Sequence, residues 1–375
     1  MKKYFIIAVA ALAASAACTK NETEAPESPI AFEVVKYAPQ TKAYNSLLDE
    51  QAAGAQIASF TTNAWFHGAG SYGIQQFMAD QVVAPDNTSN PTKWTPSGRN
   101  YFWPKTGYIN FFSYAGSPAP TAKAENSVTY TNVSVVSNSN ILVADAAYRY
   151  SENTTNDASI YQRNSVQKGV PTLFRHMLAK VKFDVIFDAS EATDANYVWT
   201  ATVKSASVTV PQQGTLAVTF TEPSGTAPAT AKYDATTAWA SLGAYTAVDK
   251  VSGDIVLSAK GGNKSDGSTT DGTAAGQATE LIAEGAVIPH TLTDDVLFNM
   301  TYSLQYQYGS EAPIKEDITI DATKLTAFTP SVTAWAMNTI YTYHIIIKPN
   351  EVILFDPTVE TWEPESNEPT YTYQN

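Results

Sequence analysis

The chain has little of what metalloproteins, disulfide-stabilised domains and nucleic-acid-binding proteins depend on. Its single cysteine permits no disulfide within the chain, and its four histidines share no HExxH spacing. Only 23 Lys and Arg residues stand against 36 Asp and Glu residues, and the net charge of −13 repels phosphate backbones. We therefore expect no metal, no cofactor and no nucleic-acid partner.

Catalytic motifs are equally scarce. The segment AGSYG at 69–73 lacks the first glycine of a nucleophile elbow, and 261–264 lacks the frame of a phosphate-binding loop. The carboxylates of Asp266 and Asp271 do not have EF-hand spacing. No catalytic residue is identified, so we interpret the protein as a non-enzyme. A secreted hydrolase whose catalytic groups are distant in sequence stays open as an alternative.

The N-terminus has the pattern of an export signal. Lys2 and Lys3 precede an apolar stretch at 4–14 that is too short to span a bilayer comfortably, and small residues follow up to Ala17. The single cysteine, Cys18, comes next, and this order resembles a bacterial lipobox. It predicts a signal peptide at 1–17, cleavage after Ala17 and lipidation of Cys18. An ordinary signal peptide followed by a chance cysteine is the alternative.

Residues 18–29 are polar and acidic and end in Ser-Pro. Such a composition is typical of a flexible tether between a lipid anchor and a folded body. It also resembles the acidic export tethers of surface lipoproteins in the Bacteroidetes. We therefore expect an outer-membrane lipoprotein at the cell surface, held by the lipid on Cys18.

Alternating apolar residues dominate the rest of the chain and indicate β-strands with one buried face. The alternation is clearest in four segments: 30–35, 180–187, 298–308 and 341–347. Shorter runs of β-branched and aromatic residues are separated by Gly, Pro, Asn and Ser. Many short strands with turn-rich breaks predict an all-β fold of sandwiches.

The domain organisation is predicted from a polar stretch at 149–168, which reads as a long loop or boundary. A division near Val170 gives an N-terminal β-sandwich at 30–170 and a C-terminal β-sandwich at 171–375. The Gly/Ser/Thr-rich segment 261–277 is expected to be a solvated loop.

The tryptophans leave a binding function open, since exposed aromatic rings can stack on sugars. Trp103 lies in an apolar run and is expected in the core, and at most one or two of Trp65, Trp94, Trp199 and Trp239 are expected to be surface platforms. The alternative function is thus a surface glycan-binding lipoprotein of a polysaccharide-utilisation system.

Four phrases, taken in order, carry a family resemblance: YFWPKTGYINFFSYA, LFRHMLAKVKFDV, AVIPHTLTDDVLFNMTYSLQY and WAMNTIYTYHIIIKPNEVILFDPTVETW. Together they resemble the fimbrillin family of the Bacteroidetes, the type V pilins and FimA/Mfa-like lipoproteins. The resemblance implies two tandem transthyretin-like β-sandwich domains after a lipoprotein signal peptide. It also implies a structural fimbrial (pilus) subunit that polymerises with other pilin subunits and supports adhesion.

The resemblance gives the two ends of the chain a role in β-strand exchange. Ile30, Phe32 and Val34 alternate as a removable first strand would, and Tyr371 and Tyr373 alternate in a tail suited to be a donor. The alternative is that both end strands pair inside their own domain.

Release of the first strand implies a maturation protease. Family pilins are cut after a basic residue, often Arg, in an N-terminal loop. Here the basic residues in the corresponding stretch are Lys36 and Lys42, and Thr-Lys-Ala at Lys42 stands where relatives often carry Thr-Arg-Ala. After such processing the subunit is expected in the fimbrium.

Overall fold

The computed structural model describes residues 29–34, 58–68, 73–86, 94–104, 107–144, 146–151, 161–162, 169–172, 174–221, 232–267, 270–349 and 354–361. Within these ranges the chain is almost entirely β-strand, which confirms the all-β prediction. The one helix of the described residues has four residues, and no helix there has the length and apolar character needed to cross a membrane.

The strands are numbered in chain order. Their bounds are β1 (Phe32–Val34), β2 (Phe60–His67), β3 (Ile74–Pro85), β4 (Trp94–Pro96), β5 (Tyr108–Ser117), β6 (Ala122–Ala124), β7 (Ser127–Ser134), β8 (Asn140–Ala144), β9 (Ala146–Ser151), β10 (Tyr161–Gln162), β11 (Val170–Thr172), β12 (Phe174–His176), β13 (Ala179–Phe187), β14 (Tyr197–Pro211), β15 (Gln213–Thr221), β16 (Lys232–Ala240), β17 (Tyr245–Asp249), β18 (Ile255–Lys260), β19 (Thr279–Val287), β20 (His290–Thr291), β21 (Leu297–Tyr308), β22 (Ile314–Lys324), β23 (Ala334–Trp335), β24 (Thr339–Ile347) and β25 (Leu354–Thr361). The helix α1 (Leu325–Phe328) lies between β22 and β23.

These strands form one large sheet and three smaller ones. The large sheet has the order β11-β1-β4-β3-β2-β5-β9-β16-β15-β7-β6, with β8, β10 and β12 attached to its side. A second sheet has the order β19-β13-β24-β25, and a third has the order β17-β14-β21-β22 with β18 also paired to β14. Strands β20 and β23 form a small separate pair.

The second and third sheets enclose one hydrophobic core and form a β-sandwich. The apolar residues predicted to face inward on β13 and β24 do so, and each of these side chains is at most 5% exposed. Phe183 of β13 stacks on Tyr343 of β24 with ring centroids 4.8 Å apart, and Phe298 of β21 lies 5.6 Å from Phe183 across the core. The alternating apolar residues predicted on β21 are buried from Phe298 to Leu304, whereas Tyr308 at the end of the strand is 40% exposed.

Hydrogen bonding crosses the boundary predicted near Val170. The β15–β16 hairpin belongs to the second half of the sequence, yet β15 pairs with β7 and β16 pairs with β9 of the large sheet. Leu216 and Phe220 of β15 consequently share a core cluster with Phe112 and Tyr130. Strands from both sides of Val170 thus share one sheet. The division into 30–170 and 171–375 stays a prediction.

The described residues of the Gly/Ser/Thr-rich segment 261–277 are mostly exposed or half-buried, as expected of a solvated loop, but the segment is also anchored at Ser265. Ser265 is fully buried, and its Oγ accepts a hydrogen bond of 3.0 Å from the backbone N–H of Phe187. Lys264 pairs with Asp188 at 3.1 Å. A composition rich in small polar residues did not show this single buried anchor.

Candidate functional site

The first described strand, β1, lies inside the large sheet with a hydrogen-bonded neighbour on each side. It runs parallel to β11, with Phe32 opposite Val170 and Val34 opposite Thr172. On its other side it is antiparallel to β4, where Phe32 is opposite Trp94. Among the described strands β11 pairs with β1 alone, whereas β4 pairs over three residues with β3 and at one residue with β1.

The side chains before and within β1 lie in an aromatic core. Ile30 is 1% exposed and Phe32 is fully buried. The Phe32 ring makes edge-to-face contacts with Phe60 and Phe111, with centroids 5.6 and 5.5 Å apart. Phe174 packs on Phe60 at 5.3 Å. We call the space that β1 fills between β4 and β11 the β1 slot, with Phe60, Trp94, Phe111 and Phe174 as its lining.

The chain passes β1 so closely that one position requires glycine. A Cβ atom built on Gly169 would lie 2.6 Å from the carbonyl carbon of Phe32 and 2.8 Å from the carbonyl oxygen of Ala31. The next residue, Val170, donates its N–H to that same Ala31 oxygen at 2.8 Å. Glycine therefore allows the backbone approach that closes the β1 slot on the β11 side.

The structure places the predicted exchange residues in two different groups. Ile30 and Phe32 are buried, and so is Ala31 between them, while Val34 on β1 lies opposite Thr172. In this single chain β1 pairs with β4 and with β11, which straddles the predicted boundary near Val170. The remaining predicted site residues lie outside the described residues: Ala17, Cys18, Lys36, Lys42, Tyr371 and Tyr373. Their roles stay predictions.

The C-terminal end of the described chain is an edge strand. Strand β25 is antiparallel to β24, with Leu354 opposite Ile346 at one end and Thr361 opposite Thr339 at the other. It has no second neighbour among the described strands. Val359 on β25 is 53% exposed. The predicted donor tail follows directly after this edge strand.

A polar cluster that the sequence did not reveal joins four strands near the slot. Asp80 of β3, at a φ of 45°, accepts hydrogen bonds from Lys123 (2.9 Å), Tyr114 (2.8 Å) and Asn63 (3.2 Å). Burial acts to raise the pKa of Asp80, but the bonds from Lys123, Tyr114 and Asn63 outweigh it and lower that pKa. Burial, together with the charge of Asp80, raises the pKa of Tyr114. We interpret the cluster as a structural tie between strands.

Each histidine has its own structural partner, as expected for histidines without a metal. Burial, with a smaller effect of Lys180, lowers the pKa of His176 to about 3, so this ring is neutral at physiological pH. No group of three metal-ligating side chains occurs among the described residues. The partner pairs are His67 with Glu125 (2.9 Å), His176 with Asn140 (2.7 Å), His290 with the carbonyl of Ile288 (2.7 Å) and His344 with Thr358 (2.8 Å).

The tryptophans proposed as sugar platforms are mostly part of the core. Trp94 is only 6% exposed and lines the β1 slot, so it is not a surface platform. Trp65 and Trp239 are half-buried against the core, and the Trp239 Nε1–H donates to the carbonyl of Met177 at 2.8 Å. Trp199 is half-buried near the start of β14. Of the four tryptophans, it alone lies in an aromatic cluster that includes an exposed ring, that of Tyr308.

Comparison with known proteins places this arrangement in a family. The family model for fimbrillin-like proteins matches residues 41–362. The chain belongs to the fimbrillin-like family. The matched range covers most of the chain and begins after β1. A comparison with curated proteins gives no match.

One solved structure shares the fold of this chain. A fimbrial protein from Bacteroides vulgatus is similar over 89% of this chain and 99% of its own, with 16% identity and a TM-score of 0.54. The tip fimbrial protein Mfa3 from Porphyromonas gingivalis is similar over 89% of this chain and 100% of its own, with 8% identity and a TM-score of 0.34. Family membership supports a fimbrial subunit at the cell surface and a structural role rather than an enzymatic one.

Proposed function

We propose that this chain is a structural fimbrial subunit that is exported as an outer-membrane lipoprotein and polymerises by protease-triggered β-strand exchange. In this proposal β1 occupies the β1 slot until the chain is cut after Lys42 or Lys36. A strand from the tail of a neighbouring subunit then takes its place. The observation that carries the proposal is the position of β1, an inner strand that precedes both candidate cleavage sites.

The proposal depends on β1 being held tightly while attached and weakly once detached. Burial of Ile30 and Phe32, together with the two ring contacts of Phe32, contributes roughly 4–8 kcal/mol before ordering entropy is deducted. Without that deduction this would correspond to a dissociation constant between about 1 mM and 1 μM. A free segment also loses ordering and translational entropy on binding, so it binds more weakly than this range. A detached N-terminal segment therefore leaves the slot at ordinary protein concentrations, whereas the covalently attached segment stays.

An empty slot would be unstable in water. Loss of β1 removes the strand partner of β11 and opens one side of β4, which stays paired to β3, and it exposes an aromatic lining that includes Phe60, Phe111 and Phe174. Unpaired strand edges beside apolar pockets are templates for strand addition from another chain. The vacated slot therefore favours association with a second subunit.

The tail of the chain has the composition of the incoming strand. It follows the edge strand β25, and the segment 370–375 carries no charged side chain, with Tyr371 and Tyr373 at alternate positions. Pro364 and Pro369 frame a polar stretch that resists regular pairing and separates the tail from β25. Alternate aromatic side chains suit a slot that is itself lined with aromatic rings.

In this proposal the N-terminus directs the chain to the outer membrane. Cleavage after Ala17 and lipidation of Cys18 anchor the precursor in the outer membrane, and residues 19–29 bridge lipid and body. A cut after β1 separates the body from this lipid anchor. The same proteolytic step then releases the subunit and opens its slot.

Limited proteolysis tests the proposal directly. Trypsin treatment of the mature protein should produce ladders of multimers that resist mild detergent, visible as fibres by electron microscopy. A Lys36→Ala, Lys42→Ala double variant should form none, and Lys204→Ala, which changes an exposed lysine on β14, should behave as the parent does. Deletion of 366–375 should abolish the ladders and leave a folded monomer. Undiminished ladders from the truncated protein would refute the donor role of the tail.

A second candidate function has one specific observation in its favour. The rings of Tyr197 and Tyr308 lie 4.8 Å apart, those of Trp199 and Tyr306 lie 5.0 Å apart, and Tyr308 is 40% exposed. Such a cluster suits stacking on the apolar faces of sugars. Titration of the monomer with soluble glycans, with Trp199→Ala as the variant, decides this function: tight binding that the variant loses supports a glycan-binding lipoprotein.

A further inference from the structure

A cavity of about 490 Å³ lies beside the sandwich, at the place where the two halves of the sequence meet. Its floor is formed by side chains of the sandwich core, among them Val181, Phe183, Val208, Val210 and Ile282. Residues 135–137 of the first half line its other side. The volume and the apolar lining are typical of pockets that bind small molecules.

The cavity exists because two edge strands do not meet. Strand β17 ends the third sheet and β19 ends the second sheet, and among the described strands neither pairs with the other. Two backbone hydrogen bonds hold β19 to neighbouring segments. One joins the Val251 N–H to the Leu281 carbonyl (2.9 Å), and the other joins the Ala286 N–H to the Ser137 carbonyl (3.0 Å). The opening between the sheets is thus bounded by hydrogen-bonded backbone.

The charges at the cavity select the kind of ligand. The lining includes two carboxylates, Asp249 and Glu284, and no Lys, Arg or His side chain. Glu284 is paired with Lys180 at 3.1 Å, whereas Asp249 makes no ion pair among the described residues. The ammonium group of the adjacent Lys250 is directed to the carbonyl of Val251 instead. An anionic group at this opening is repelled by Asp249, and a cationic group is attracted.

We propose that the cavity binds an elongated apolar molecule with a positively charged end, its apolar part on the valine floor and its cation beside Asp249. Apolar residues supply the affinity through burial, and the single unpaired carboxylate sets the orientation and the preference for a cation. The site lies apart from the β1 slot, and it does not depend on strand exchange.

A matched series of ligands tests the proposal on the full chain at low ionic strength. Calorimetric titration with decylamine, decanol and decanoate should rank the affinities in that order, with about a tenfold or greater gap between amine and carboxylate. Asp249→Asn should remove the advantage of decylamine over decanol. Glu316→Gln, which removes an exposed carboxylate on β22, should change nothing.

Filling the cavity tests its location. Val208→Phe places a larger ring on the floor and should weaken decylamine and decanol more than tenfold, and Val210→Phe serves the same purpose if the first variant unfolds. The proposal is overturned by equal binding of all three ligands, by binding that survives the filled cavity, or by an absence of binding. Dimerisation that Val208→Phe abolishes, without ligand binding, would instead assign the cavity to a second copy of the chain.

Discussion

Truncation of Phe32 to alanine should destabilise the first half of the protein strongly, although the residue lies in a strand of only three residues. The ring is fully buried and contacts Phe60 and Phe111, whose own strands are fixed by pairing on both sides. The lining cannot collapse far into the space, so Phe32→Ala should cost about 3–5 kcal/mol. For a unit of 150–250 residues this lowers Tm by about 6–20 °C.

Urea unfolding followed by tryptophan fluorescence measures this cost, because Trp94 and Trp103 lie in the same core cluster as Phe32. The matched control is Ile74→Ala, an apolar truncation on β3 of the same sheet at a side chain that is 54% exposed. It should change stability by less than about 0.5 kcal/mol. A loss below about 1 kcal/mol for Phe32→Ala would refute the reasoning, since the slot would then not depend on β1.

Two further predictions concern residues around the same core. His176 has a pKa of about 3 in the folded chain against about 6.5 unfolded, so only the unfolded state takes up a proton between these values. The free energy of unfolding should therefore fall by about 2 kcal/mol from pH 7 to pH 5. His176→Gln should remove that loss. Equal urea-unfolding curves for parent and variant at both pH values would contradict this prediction. Gly169→Ala should cost about 1–3 kcal/mol, because its Cβ meets the backbone at Phe32, and faster exchange of the Val170 amide, which donates to the Ala31 carbonyl, should accompany it. An alanine variant as stable as the parent would show that the close approach is not needed.

Much of the fold could be predicted because its signals are local. The alternation at 180–187 and 341–347 predicted which residues are buried, and the side chains concerned are at most 5% exposed. The pattern at 30–35 predicted a strand with Ile30 and Phe32 buried, but Ala31 between them is buried as well. It did not predict that β1 lies between β4 and β11, because the partners of a strand depend on segments far away in sequence.

The candidate site contains features with no local signal at all. Asp80 has a positive φ where the β2–β3 register is bulged, and its backbone N–H donates to Asn63 while its carboxylate accepts from Tyr114 and Lys123 on two further strands. Trp94 was expected as a surface candidate and is instead part of the slot, since a single aromatic residue between turn residues does not show which side of a sheet it occupies. The cavity beside Asp249 arises from two edges that fail to meet, which no single segment encodes.

The amino-acid sequence by itself determined the all-β class, the buried face of each strongly alternating strand and the acidic surface charge. These properties follow from the geometry of single strands, in which successive side chains point to opposite faces, and from composition. Only the tertiary structure decided that a β-hairpin of the second half joins the sheet of the first and that β1 is enclosed on both sides. Strand partners are chosen by the packing of the whole chain, since backbone hydrogen-bonding groups are the same in every residue except proline.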